Sequence, residues 1–184
     1  MFRAKGYRSA HIEDVAARAG VSVGTIYNYC QTKGDMLIAT VTMEVEEVLA
    51  TGEAIVSDPP ENVAEAVMAL VFGYYDHSLK YLSKEMWRHA MALAIEAPKT
   101  PNGRHYMELD RRLAAQVVAL MESLKTRGRV RPDVEPRAIG EMIFNDLNQL
   151  FVDFVREEEM TLEDLRCALA AHVRPLARLM AVAS

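Results

Sequence analysis

Residues 6–37 read GYRSAHIEDVAARAGVSVGTIYNYCQTKGDML, and the punctuation inside this stretch leaves few ways to fold it. Ile12, Val15, Ala16 and Ala19 recur at helical spacing and give a first helix one apolar face, with Glu13, Asp14, Ala17 and Arg18 turned elsewhere. Gly20 ends that helix, because glycine adopts the left-handed backbone that closes a last turn, and Val21 can pack back on the helix it leaves. Ser22 then caps a second helix over residues 23–29. Its apolar anchor is Ile26, which leaves Thr25, Tyr27, Asn28 and Tyr29 spread around the exposed sides. A helix, a tight turn and a short helix with polar tips form a helix-turn-helix pattern. Hydroxyls and amides so placed can reach base edges and phosphates in the major groove of DNA. The plainer alternative is a surface helix in an unrelated bundle, since short motifs recur by chance.

The order of residues adds a resemblance. Gly6-Tyr7, Val15-Ala16, Ala19-Gly20-Val21-Ser22, Gly24-Thr25-Ile26-Tyr27 and Lys33 stand in register and without gaps. In this the segment from residue 2 to about 41 resembles the N-terminal domain of the tetracycline-repressor (TetR) family of transcriptional regulators. The resemblance implies that Val23, Gly24, Thr25, Tyr27 and Tyr29 lie nearest the DNA and that Lys33 holds a phosphate. Gly24 also has a physical reason, because a missing side chain lets the helix N-terminus, with its free N–H groups and positive dipole end, approach the phosphate backbone. Two readings stay open for Tyr27, whose ring can pack the domain while its hydroxyl touches phosphate. Asn28 either reads an adenine edge or is solvated.

The chain departs from the family pattern in three places. Ala10 and His11 replace the usual hydroxyl cap, leaving His11 as an alternative phosphate contact and Ser9 as an alternative cap. Cys30 stands where the family carries a bulky aromatic, which implies a looser junction; a redox role would need a partner thiol. Only Met1-Phe2-Arg3-Ala4 precede Lys5-Gly6-Tyr7, where the family has a whole helix. The expectation is a late start and an N-terminal domain loosened by lost packing.

Net charge has to be divided before it is read. The total is −5. Residues 1–33 hold five basic side chains (Arg3, Lys5, Arg8, Arg18, Lys33) against Glu13 and Asp14, a local +3 that leaves −8 for the remainder. Positive charge sits with the motif, where phosphate contacts would supply salt-dependent affinity. No run of about 18 apolar residues suggests a membrane span, and no signal peptide is evident. Cys30 and Cys167 match neither a metal spacing nor a disulfide framework. The expectation is a soluble, cytoplasmic protein that does not engage membranes.

The rest of the chain is predicted all-α. A connecting helix spans residues 34–52, and Ser57-Asp58-Pro59-Pro60 breaks the chain. Helices follow over 61–81, 84–96, 104–127 (closed by Gly128) and 136–158. The helix over 136–158 carries Ile139, Ile143, Leu147, Leu150 and Phe154 beside Phe144 and Phe151. A last helix opens at Thr161-Leu162-Glu163-Asp164, repeats Leu162, Leu165, Leu169, Leu176 and Met180, and should be kinked or interrupted at Pro175. The domains are residues 1–45, reading DNA, and 46–184, sensing and dimerising. By resemblance the last two helices pair with their symmetry mates as a four-helix homodimer interface, or else pack the monomer core.

A paired reader engages successive major grooves only when its recognition helices are held about 34 Å apart or a multiple of that, which implies a roughly palindromic operator. In the family a small-molecule effector enters the larger domain and tilts the connecting helix. Candidate ligand contacts are Phe72, Tyr75, His77, Trp87, Met91, Tyr106, Phe144, Asn145 and Phe151, and the same positions also read as ordinary core. Asn145 among apolar neighbours would need a partner such as Tyr106, a water or a ligand. Catalysis has no support. Glu85 and His89 stand i,i+4 rather than in di-iron spacing, and His77, His89, His105 and His172 form no zinc-like pattern. No Gly-rich phosphate loop or nucleophile elbow is present, and no cofactor or metal is called for. The sequence therefore points to a ligand-responsive DNA-binding transcriptional regulator, a repressor, with a helical ligand-binding scaffold that has lost DNA binding as the alternative.

Overall fold

The computed structural model describes residues 12–28 and 30–182, and eight helices run through them. They are α1 (Ile12–Ala19), α2 (Val23–Tyr27), α3 (Lys33–Ser57), α4 (Val63–His77), α5 (Lys84–Glu96), α6 (Pro101–Thr126), α7 (Pro136–Arg156) and α8 (Leu162–Met180). A short helix-turn-helix head, α1 and α2, precedes a larger helical body, as expected. Among the described residues no helix is long and apolar enough to cross a membrane.

Hydroxyls and glycines set the boundaries. Ser22, Thr32, Ser83, Thr100 and Thr161 each accept a backbone N–H at the start of the helix they open. At Thr32 and Thr161 an aspartate three residues on returns the bond, which completes a capping box. Gly20 and Gly128 take φ of 67° and 70°. In both turns the next residue's N–H reaches five residues back, Val21 to the Ala16 carbonyl at 3.1 Å and Arg129 to that of Leu124 at 2.9 Å.

Several elements differ in length from expectation. α3 continues past Gly52 to Ser57, because Gly52 is buried inside it where Gln116 and Leu70 occupy the space a side chain would take. α4 is shorter at both ends, starting behind Asn62, whose Oδ1 accepts from Ala64 and Glu65. α6 begins at Pro101 rather than 104, since a proline at the first helical position gives up an N–H that has no partner there. α2 stops at Tyr27 and α7 at Arg156. Pro175 does not interrupt α8, which runs through it.

The body packs α6 against α7 and α3, and α4 against α8. Leu37, Val67, Leu70, Leu82, Leu120, Leu124, Val155, Leu165 and Leu169 are fully buried among them. At the α6–α7 crossing Gly140 brings the backbones together, so that an added Cβ would stand 2.7 Å from Val118 Cα. An isolated antiparallel bridge, Val130 to Ala181, fastens the end of α8 to the turn after α6. Lys84, at the start of α5, donates to the carbonyls of Glu157 and Met160 and lies 4.0 Å from the centre of the Phe154 ring, tying α5 to the end of α7.

Candidate functional site

Two sites share one helix. The first is the tip of the head. Ser22 Oγ accepts the Thr25 N–H at 3.1 Å and lies 2.8 Å from Thr25 Oγ1, which sets the first turn of α2. α2 buries none of its five residues fully. Gly24 and Asn28 are exposed, Tyr27 is 45% exposed, and Val23, Thr25 and Ile26 are half-buried. Among the described residues a Cβ on Gly24 would meet only Ser22 Oγ, at 3.7 Å, so their packing does not require glycine there. Lys33, half-buried, is the first residue of α3. His11 and Tyr29 lie outside the described residues.

The start of α3 is fastened to the body. Asp35 Oδ2 accepts the Thr32 N–H at 2.8 Å, and Asp35 Oδ1 accepts from Asn102 Nδ2 on α6 at 2.7 Å. Desolvation raises the Asp35 carboxyl, but hydrogen bonds from Asn102, Thr32 and Gln31 outweigh it and hold the group below its ordinary range.

The second site is a cavity in the body, about 610 Å³ of space between side chains with its mouth included. Only about 70 Å³ of it is room that an occupant could fill, well under the roughly 300–1,000 Å³ usual for small-molecule sites. Val41, Glu44, Val45 and Val48 of α3 form one wall. Tyr74, Tyr75, Ser78, Trp87, Tyr106, Leu109, Asp110, Leu113, Phe144, Leu147, Asn148 and Phe151 form the rest. Phe151 organises the aromatic side, with its ring 5.1 Å from Trp87 edge to face and 6.1 Å from Tyr75 in a stack.

The polar atoms of this lining divide sharply. Four of its donors are spent within the protein, while the Tyr106 hydroxyl and the Asn148 amide make no hydrogen bond among the described residues. Tyr74 Oη donates to Gln116 Oε1 at 2.7 Å, Tyr75 Oη to the Leu147 carbonyl at 2.9 Å, Trp87 Nε1 to the Ser78 carbonyl at 2.7 Å, and Ser78 Oγ to the Tyr75 carbonyl at 2.7 Å. Glu44, 2% exposed, meets His77 Nδ1 through Oε1 at 2.7 Å, and its buried Oε2 has no partner. Desolvation pushes the Glu44 carboxyl up against the pull of His77. Asp110 makes no hydrogen bond or ion pair among the described residues, and burial pushes its carboxyl up to about 6. Burial also raises the Tyr74, Tyr75 and Tyr106 phenols.

Of the candidate ligand contacts, Tyr75, Trp87, Tyr106, Phe144 and Phe151 line this cavity. His77 stands behind it, bridging Glu44 and Glu47 with its two ring nitrogens. Phe72 sits under Arg166 on an outer groove, and Met91 packs against the core. Asn145 is exposed rather than set among apolar neighbours; the amide in the lining is Asn148, one turn on along α7. Sequence reasoning passed over Glu44 and Asp110. Each carried a signal, a carboxylate inside an apolar helical stripe: Glu44 amid Val41, Val45 and Val48, and Asp110 amid Tyr106, Leu109 and Leu113. Among the described residues no group of three or more His, Cys, Asp or Glu could hold a metal ion.

Residues 1–40 match the family model described as bacterial regulatory proteins, tetR family. No curated protein matches the chain. Among solved structures, a TetR-family transcriptional regulator of Mesorhizobium loti superposes with a TM-score of 0.72 at 20% identity, over 98% of this chain and 91% of that one. FadR of Bacillus subtilis, in complex with stearoyl-CoA, gives 0.68 at 18% identity over 96% and 91%. FadR of Thermus thermophilus, a TetR-family repressor in complex with lauroyl-CoA, gives 0.68 at 18% identity over 100% and 91%. At these identities the likeness is one of fold.

Proposed function

From the premise of a chain whose first 40 residues carry the tetR-family pattern and whose fold is that of TetR-family regulators, we propose a ligand-responsive DNA-binding transcriptional regulator. In this reading it is a repressor released from a palindromic operator by a small-molecule effector. One observation supports this above the others. α3 begins at Lys33, directly behind the reading tip, and the same uninterrupted helix walls the cavity with Val41, Glu44, Val45 and Val48. Val41 lies eight positions along the helix from Lys33, about 12 Å along the axis. An effector that prefers one placement of α3 therefore shifts the head, and a coupling of about 1–3 kcal/mol changes DNA affinity roughly 5- to 150-fold.

Release of this kind needs two heads whose spacing changes. α7 and α8 expose Met142 (60%) and Leu179 (70%), apolar side chains that suit an isologous homodimer contact. At the tip, Val23, Gly24, Thr25, Tyr27 and Asn28 meet the operator and Lys33 a phosphate, with His11 and Tyr29 as further contacts. Tyr75, Trp87, Tyr106, Phe144 and Phe151 contact the effector.

The test is to map where the purified dimer protects DNA fragments from around its own coding region, with and without cell extract. A symmetric footprint that weakens with extract is expected. Absence of any specific footprint overturns the reading and favours a helical small-molecule-binding scaffold.

A further inference from the structure

We infer that the effector of this cavity is an organic cation, a protonated amine carried on an apolar or aromatic body and held by Glu44 and Asp110. The inference rests on the reading of the cavity as the effector site, and it adds the chemical class of the occupant.

The argument is one of unspent hydrogen-bonding capacity. Tyr74, Tyr75, Ser78 and Trp87 each direct their donor into the protein, so they offer an incoming molecule little but ring and methylene surface. The charged capacity left over is acceptor capacity on carboxylates, Glu44 Oε2, buried without a partner, and Asp110, beside the uncharged Tyr106 hydroxyl and Asn148 amide. No lysine or arginine lines the cavity. A ligand carboxylate or phosphate would meet like charge and find no cation to receive it. An ammonium supplies the positive partner that these carboxylates lack, as charge-assisted hydrogen bonds, and gains from aromatic faces that attract a cation.

Burial raises both carboxyl groups, a desolvation that His77 offsets only in part at Glu44 and that a bound positive charge would offset further. The arrangement also suits regulation. Glu44 belongs to α3 and Asp110 to α6, so a cation held by both acts on the helix that leads to the reading tip.

Trp87 is the only tryptophan in the chain and lies in the cavity wall, so its fluorescence reports occupancy without DNA. Three probes share one skeleton: 4-phenylbutylamine, 4-phenylbutan-1-ol and 4-phenylbutanoate. At neutral pH the amine should change Trp87 emission with an affinity roughly tenfold or more above that of the alcohol, and the carboxylate should be weakest. Glu44→Gln and Asp110→Asn, each checked for native helicity by circular dichroism, should each reduce the preference for the amine, and the double variant should abolish it.

The inference is overturned if the amine binds no better than the alcohol or the carboxylate, absence of binding by all three included. It is equally overturned if the double variant keeps the preference for the amine. Tighter binding of the alcohol or carboxylate sinks the charge assignment while leaving the sensor reading in place. Amine-selective binding by a protein that protects no DNA does the reverse.

Discussion

Asp110 is a half-buried acid held at a cost, and removing its charge should make the protein more stable. Its carboxyl is pushed from an ordinary 3.8 up to about 6, with desolvation the cause. A carboxyl whose folded pKa is raised binds its proton more tightly folded than unfolded, so the penalty is absent below about pH 4. It grows as pH rises through the window between the two values and is complete above about pH 6. A shift of roughly two units corresponds to at most about 3 kcal/mol at neutral pH.

Asp110→Asn keeps the shape and removes the charge. Urea unfolding followed by circular dichroism should therefore find the two proteins alike at pH 4, and the variant more stable by about 1–3 kcal/mol at pH 7. In thermal melts at pH 7 this amounts to a rise of roughly 3 to 10 °C. Glu44 lines the same cavity and is raised in the same direction, so it is left intact in both proteins and cancels in the difference. If the variant is no more stable at pH 7, or if its advantage is the same at pH 4, the charge of Asp110 is not the source of strain. A group retained against stability in this way is what a binding site requires and a core does not.

Lys33→Ala should weaken binding to every DNA sequence alike and reduce the slope of log affinity against log salt by about one; an unchanged slope would remove Lys33 from the phosphate contacts. Gly140→Ala should destabilise by roughly 1–3 kcal/mol, because the new methyl would meet the backbone of Val118 at 2.7 Å rather than a side chain that can turn away. The alanine gains about 1 kcal/mol of helix propensity, so the net loss in denaturant midpoint measures how firmly α6 and α7 are locked. An equal or higher midpoint would show that the crossing yields.

What could be read from the sequence was whatever depends on neighbours along the chain. Gly20 and Gly128 as helix ends, Ser22 and Thr161 as caps, and the Pro59-Pro60 break all rest on local backbone chemistry, and all stand where the residues placed them. The helix-turn-helix was legible for the same reason, being a contiguous motif whose order of residues is its geometry. α3 ran on through Gly52 because the residues that make a glycine useful there, Gln116 and Leu70, come from other helices. Local propensity reads that glycine as an end.

The aromatic side of the cavity was partly visible, since Tyr75, Trp87, Tyr106, Phe144 and Phe151 are large and few. Its acidic side was not. Periodicity assigns a face to each helix separately, and a carboxylate on such a face is ordinarily solvated. Only the packing of α3 against α6 decided that Glu44 and Asp110 share one cavity, and that Tyr74, Tyr75 and Trp87 had already committed their donors elsewhere. Helix ends and the head's fold depend on interactions a few residues long. The character of the cavity depends on which desolvated groups face one another across 60 or more residues, and burial, unlike helix formation, is a property no single segment possesses.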